Sequence, residues 1–437
     1  LRSGSCIPTS IFAIGGCEIY SPDIIDRRLA AAKKAGIPFR RCSRDESIET
    51  AARLQKLIYD ARGNKLPWGT LARPLDAKES AHILSEQTLC KFDFSYYGER
   101  FHVMSLDTGT VDDDVPVAPI KFQESQRRLI KSIGKREEEV HAEYAKYKMT
   151  EGIRVIAHKT RQQYYTAICR ALTLHRMLLW PGTRAFAGAL NPDGQGELYK
   201  RDKLAIENLP WWMRPEIAPD VKDTEIGFTH PLSCRLLYQS ANQKQGMGVG
   251  STIDVSHLTE VPLYMNPSYD INFSLLPAIP KARSTLHIQE GTSAGPAGYW
   301  REVSEACRNK EEGYASWTYV FIPWYFNSKK YRRIPPPNWT PSAHTLEHAE
   351  LIERTSADWN DGVTVRATIE QLVWWQSERE MYSKQGSLGK FLASYPATPE
   401  QSFTQWGDGA LPTELLERME LDERRPHIYD VEVAVTT

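Results

Sequence analysis

An α/β architecture, a mostly parallel sheet with helices on both faces, is what this sequence predicts, and two observations carry it. Short apolar runs suited to buried strands recur at 153–157, 184–190, 234–239, 252–258, 285–289 and 317–324. Segments with helical spacing alternate with several of them, at 123–148, from after 165 through 177 and at 200–208. Strands that alternate with helices form parallel sheets covered on both sides. Ligands of such sheets sit beyond the carboxyl ends of the strands, so the loops there are where chemistry is expected.

The chain has 437 residues, enough for two or three domains or one large domain with extensions. With 25% charged and 41% hydrophobic residues it can bury a sizeable core, which excludes wholesale disorder. A net charge of −1 neither demands nor excludes a nucleic-acid partner. Seven scattered cysteines without a Cys-x-x-Cys pair argue against a disulfide framework or a zinc site and fit a reducing cytosol. No apolar stretch reaches membrane-spanning length, and no signal peptide opens the chain. The first residue is Leu1, so the chain reads as a fragment or a trimmed product.

Residues 1–100 form a mostly helical extension, with helices expected at 22–35 and 46–62. The basic stretch 26–34 reads as a solvated helix face. Residues 65–120 are mixed, broken by Pro67, Pro74 and Pro116, and Asp112-Asp113-Asp114 reads as a solvated loop. Beyond 326 a Pro-rich loop leads to helices around 361–383 and 412–420.

The first strand runs into Lys159-Thr160-Arg161-Gln162-Gln163-Tyr164-Tyr165-Thr166 and then a helix. Strand, polar loop, hydroxyl residue and helix is the layout of a phosphate-binding loop. Backbone N–H groups and the helix N-terminus hold phosphate, a lysine neutralises it, and a Ser or Thr hydroxyl meets Mg²⁺. The usual Gly-Lys-Ser/Thr ending is missing, and on the motif alone the segment reads as an ordinary strand–loop–helix. The order Lys-x-Arg-Gln-Gln-x-aromatic-Ser/Thr resembles the deviant Walker A of tailed-phage terminase large subunits, whose lysine stands at the front of the loop. Tyr164 occupies the place where that family usually has glycine, which reaches positive φ without strain.

Four further segments resemble the same family in the same order. Pro119–Leu129 is similar to its adenine-recognising segment, with Gln126 at the family's glutamine, since an amide both donates and accepts. The nearby Arg127, Arg128, Lys131, Lys135 and Arg136 read mainly as a solvated face, with DNA contact as the alternative. The run 252–261 resembles a Walker B strand, His257-Leu258-Thr259-Glu260-Val261. There Glu260 would polarise the attacking water, and Thr259 would meet the metal ion through a bound water. Residues 285–299 resemble the coupling motif, with Thr292, Ser293 and Ala294 in the segment that senses the γ-phosphate. Tyr395-Pro396-Ala397-Thr398-Pro399-Glu400-Gln401-Ser402-Phe403 resembles the stretch that closes the ATPase domain, and Phe321-Ile322-Pro323-Trp324 the aromatic strand before it.

The resemblance covers about two thirds of the chain and implies a P-loop NTPase-like ATPase domain over 101–405, with ATP and Mg²⁺ as cofactors. It implies a motor subunit that drives double-stranded DNA into the procapsid from the host cytoplasm. Its implied partners are the portal protein, the terminase small subunit and further copies in a ring. Lys159, Thr160, Arg161, Gln162, Gln163, Tyr164, Tyr165, Thr166 and Gln126 would hold nucleotide. Thr166 and Thr259 would serve the metal, and Glu260 and Arg161 catalysis. Residues 406–437 would link to a nuclease domain not contained here, with 427–435 as the start of its first strand. Tyr164 and Thr259 motivate a second reading, a nucleotide-binding fold without hydrolysis that binds DNA or the portal. A helicase-type translocase ranks third, since no second motor lobe is evident.

Overall fold

Six parallel strands and one antiparallel edge strand form the central sheet of the computed structural model, which describes residues 20–37, 39–105, 117–219, 224–241, 243 and 246–404. A small ladder, β1 (Val103–Ser105) with β2 (Val117–Pro119), stands apart from it. The main strands are β3 (Ile153–Lys159), β4 (Arg184–Ala189), β5 (Glu225–Gly227), β6 (Arg235–Ser240), β7 (Val255–Leu258), β8 (Leu286–Gly291) and β9 (Thr318–Ile322). Across the sheet they lie in the order β5-β6-β4-β7-β8-β3-β9. All pairs are parallel except β5 with β6, so six strands end on one edge. Each predicted apolar run became a strand. The edge strand β5 was not foreseen, because its three residues are too short to show periodicity.

The helices are α1 (Pro22–Lys34), α2 (Arg44–Gln55), α3 (Ala77–Phe92), α4 (Phe94–Phe101), α5 (Glu124–Tyr147), α6 (Tyr165–Leu179), α7 (Pro192–Glu207), α8 (Tyr299–Asn309), α9 (Ala343–Trp359), α10 (Ile369–Lys384) and α11 (Leu388–Ser394). Helix α2 stops at Gln55, short of the expected 62, because Asp60 accepts from the backbone of Arg62 and Asn64 and turns the chain. Helix α7 starts at Pro192, earlier than expected, with Asn191 capping Gly194 N–H. Helix α3 was missed for a physical reason: every residue from Ser85 to Phe92 is buried, so it has no amphipathic stripe. The acidic run 112–114, the helix expected at 412–420 and the strand expected at 427–435 lie outside the described residues.

Alternate side chains of the sheet enter different cores. Val155 and Ala157 of β3 pack with α6 and with residues of α1 to α5, in one cluster that runs from Tyr20 to Ile322. Ile156 and Phe186 face the opposite side, with Ile271, Leu275, Trp300 and Val303. A third, aromatic cluster joins Trp324 and Tyr331 to Trp375 and Phe391 on α10 and α11. The helical N-terminal region is tied to the body by Glu137 of α5, whose Oε2 accepts the N–H groups of Tyr20 and Ser21 at 2.7 and 2.6 Å. No described helix is long and apolar enough to cross a membrane.

Candidate functional site

The loop between β3 and α6 turns through two left-handed residues, Gln162 at φ 55° and Tyr164 at φ 54°. Such a backbone costs a non-glycine residue about 1–2 kcal/mol, so the surroundings must impose it. They do so from three sides. Gln126 Nε2 donates to Tyr164 C=O at 3.0 Å, and Tyr165 Oη donates to Ser125 C=O at 2.6 Å. Thr160 donates through Oγ1 and N–H to Ile322 C=O, both at 3.0 Å. Arg161 N–H reaches Ser394 C=O, and Tyr331 Oη donates to Arg161 C=O. The tyrosine is thus held in a conformation that glycine would reach without strain. A β-branched side chain tolerates it least, so Tyr164→Val should lower stability by about 1–2 kcal/mol. Tyr164→Gly should fold as the parent does, and urea midpoints of the two variants check this.

The carboxyl edge brings distant residues onto one carboxylate, that of Glu290 at the end of β8. Register explains the meeting. Glu290 pairs with Ala157 of β3, and Thr259 follows the last rung between β7 and β8, Leu258 with Gln289. Thr166, the second residue of α6, donates Oγ1–H to Glu290 Oε1 at 2.6 Å. Thr259 Oγ1 donates to the same oxygen at 2.9 Å, and His257 Nε2 lies 3.3 Å from it. Lys159 Nζ stands 3.4 Å from Oε2, an oxygen with no hydrogen-bond partner. Glu290 is fully buried. Burial alone would raise its pKa; the Lys159 ammonium, His257 and the Thr166 hydroxyl overcome this and hold the carboxyl well below the usual range.

The other sequence-predicted residues surround this centre. Glu260 is exposed and left-handed (φ 57°) at the start of the turn 261–263, on the same edge as Lys159 and Thr166. Gly291 lets that turn lie close, since a Cβ there would stand 2.1 Å from Pro262 Cδ. Thr292, Ser293 and Ala294 follow β8 on the same edge, with Ser293 buried. Gln163 is fully buried, and neither atom of its amide has a hydrogen-bond partner. Arg161 and Gln162 are exposed. Gln126 does not present a free edge for a base. Its Oε1 accepts Gln123 N–H at 2.9 Å while its Nε2 holds Tyr164, so it positions the loop. The closing motif packs on the loop strand, with the Phe403 ring 5.3 Å from that of His158.

The basic face of α5 is solvated at Arg127, Lys131 and Lys135, as expected, and its charges are paired with acids. Lys131 and Lys135 both pair with Asp361, Arg127 with Glu99, and the buried Arg136 with Glu139 and Glu143. Sequence reasoning gave Glu290 no role, although it sits inside the coupling motif. Elsewhere, Cys42, His82 and Glu86 offer ligand atoms within 4.8 Å of one another, a grouping their spacing did not announce. Glu86 Oε1 there already accepts from Ser47 and Tyr96.

Thr166 Oγ1, Thr259 Oγ1 and the Glu290 carboxylate make an oxygen donor set, which suits a hard cation such as Mg²⁺. Oε2 of that set accepts no hydrogen bond and is paired only with the Lys159 ammonium at 3.4 Å.

No protein-family model and no curated protein matches the chain. Among solved structures it is similar to the HK97 bacteriophage large terminase, with TM-score 0.43 and 13% identity, covering 72% of this chain and 53% of that one. It is similar to the ATPase domain of the Thermus phage P74-26 large terminase, with TM-score 0.33 and 13% identity over 39% of this chain and 76% of that one. A third is the large terminase of a thermophilic bacteriophage in complex with ADP, at TM-score 0.31 and 12% identity over 43% of this chain and 45% of that one. The likeness is one of fold alone. The chain spans about half the length of the HK97 protein, and at these scores the likeness carries no argument about activity.

Proposed function

We propose that this chain is the ATP-hydrolysing part of a DNA-packaging motor of the large-terminase kind. One observation carries the reading: Lys159, Thr166 and Thr259, each singled out by the sequence motifs, meet on one buried carboxylate at the carboxyl edge of a parallel sheet. In this reading the N–H groups at the start of α6 and the Lys159 ammonium hold the phosphates. Glu260 orients a water and takes its proton as the water attacks the γ-phosphorus. The bond from that phosphorus to the bridging oxygen breaks, and ADP leaves. Mg²⁺, when bound beside Thr166 and Thr259, would neutralise charge on the phosphates. Thr292, Ser293 and Ala294 on the adjoining loop would feel the loss of the γ-phosphate.

Double-stranded DNA, the portal protein, the small subunit and a ring of copies on the procapsid belong to the same proposal, as does a site of action in the host cytoplasm. So does the division into an extension at 1–100, the ATPase domain at 101–405 and a linker beyond. Contact with DNA should be to the backbone and weaken steeply with salt, because a motor accepts any sequence. The exposed Glu260 and the hydroxyl at Thr259 favour one other reading, a nucleotide-binding module that does not hydrolyse. Steady-state ATP turnover with and without Glu260→Ala separates them. The motor reading expects a fall of about 10²-fold or more. Turnover unchanged by that substitution removes Glu260 from the mechanism.

A further inference from the structure

We infer that Glu290, on β8, is the acid of the metal site, a role that strand β7 would ordinarily supply at position 259. The inference rests on the nucleotide-site reading above and adds a residue to it. P-loop enzymes hold Mg²⁺ between the loop's Ser or Thr hydroxyl and a nearby aspartate. Here the residue at the end of β7 is Thr259, which carries no charge. A hydroxyl cannot replace the charge of a carboxylate toward a divalent cation.

Glu290 meets each requirement that Thr259 does not. It is the carboxylate hydrogen-bonded to the loop hydroxyl, Thr166, at 2.6 Å. The Lys159 ammonium stands 3.4 Å from its Oε2, and the Thr166 hydroxyl donates to its Oε1, surroundings that suit a carboxylate. Thr259 Oγ1 donates to the same oxygen at 2.9 Å, so the residue that lacks the acid holds the one next door. His257 Nε2 adds a third contact to that oxygen at 3.3 Å. Oε2 accepts no hydrogen bond and lies 3.4 Å from Nζ of Lys159, the residue at the end of β3 where the loop begins. Lys159 and the cation are thus alternative neighbours of one carboxylate. When phosphate draws the ammonium away, the buried charge of Glu290 needs a new counter-ion, and a divalent metal supplies it. Metal and nucleotide therefore bind together.

The test reads metal binding apart from turnover. The full chain is titrated with Mn²⁺ in the presence of a non-hydrolysable ATP analogue and followed by electron paramagnetic resonance. Analogue binding in EDTA is measured separately. Glu290→Gln should weaken Mn²⁺ by about 10–100-fold and should not weaken the analogue in EDTA, since Lys159 is then released from its carboxylate. Thr259→Asp in the Glu290→Gln background returns an acid to β7 and should restore most of the Mn²⁺ affinity. Glu290→Asp keeps the charge that Lys159 faces but withdraws the oxygens by one methylene. It should weaken Mn²⁺ by about threefold or more, and it serves if the glutamine variant does not fold. Unchanged Mn²⁺ affinity in the folded variants overturns the assignment, even if turnover is lost. Failure of the parent chain to bind the analogue at all overturns the nucleotide site, and this inference with it.

Discussion

Lys159→Met should abolish ATP turnover and, separately, weaken the fold. In the proposed site the catalytic loss follows from removing the Lys159 ammonium that would hold the phosphates. Taking away one preorganised charge of this kind costs about 10²–10³-fold in rate. The structural loss follows from Glu290, which is fully buried and faces Lys159 Nζ at 3.4 Å. Breaking a buried ion pair on one side leaves the other charge uncompensated, at a cost of about 3 kcal/mol or more. The two effects come apart in the double variant Lys159→Met with Glu290→Gln, where neither charge remains. Urea denaturation should show most of the lost stability recovered, while turnover stays at the level of the single variant. Stability equal to the parent in Lys159→Met would mean that the pair contributes nothing. Recovery of turnover in the double variant would mean that the lysine acts only through Glu290.

The second large effect is acid sensitivity. Burial removes four imidazoles from water and lowers the pKa of His102, His158, His175 and His348 from 6.5 to about 3. The sign follows from proton counts. Below 6.5 the unfolded chain takes up protons that the folded one refuses, so stability is full above that pH and is lost as pH falls toward 3. Each such histidine contributes a slope of about 1.4 kcal/mol per pH unit within the window. His257 and His287 shift the same way, again through burial. Two lowered carboxylates do not offset the trend. Glu79 and Asp361 have pKa values lowered to about 2 by hydrogen bonds from Arg73 and from Lys131 respectively, so their contribution is lost only below about 4. One pH unit below 6.5, four histidines together cost about 4–6 kcal/mol, comparable with the whole stability of a typical domain. Urea midpoints at pH 7.5 and 5.5 should therefore differ widely. Equal midpoints would mean that these imidazoles accept protons without unfolding.

How much of this was readable in the sequence depends on the range over which each signal acts. The strands were legible because Ile153, Val155, Ile156 and Ala157 stand together in the chain, and burial on both faces leaves a continuous apolar run. Lys159, Thr166 and Thr259 were legible through motif order. Glu290 was not, because a carboxylate at a strand end looks the same whether it is exposed or buried. Its importance lies in a hydroxyl 124 residues away in the chain. The same holds for α5, whose basic face is solvated as read, but whose acid partners Asp361 and Glu99 come from elsewhere in the fold. Local rules can also be overridden. Tyr164 sits where glycine is easier, and contacts to Gln126 and Ser125, outside its own loop, hold the turn in place.

The expectations about turnover and metal binding share one geometry, a single nucleotide held where the loops after β3, β7 and β8 meet. Hydrogen–deuterium exchange of the full chain, with and without MgATP, reads that geometry directly. Amides of 160–167, 259–263 and 291–295 should gain protection together, at one nucleotide concentration. Protection confined to another part of the chain, or in the first segment without the other two, would contradict it.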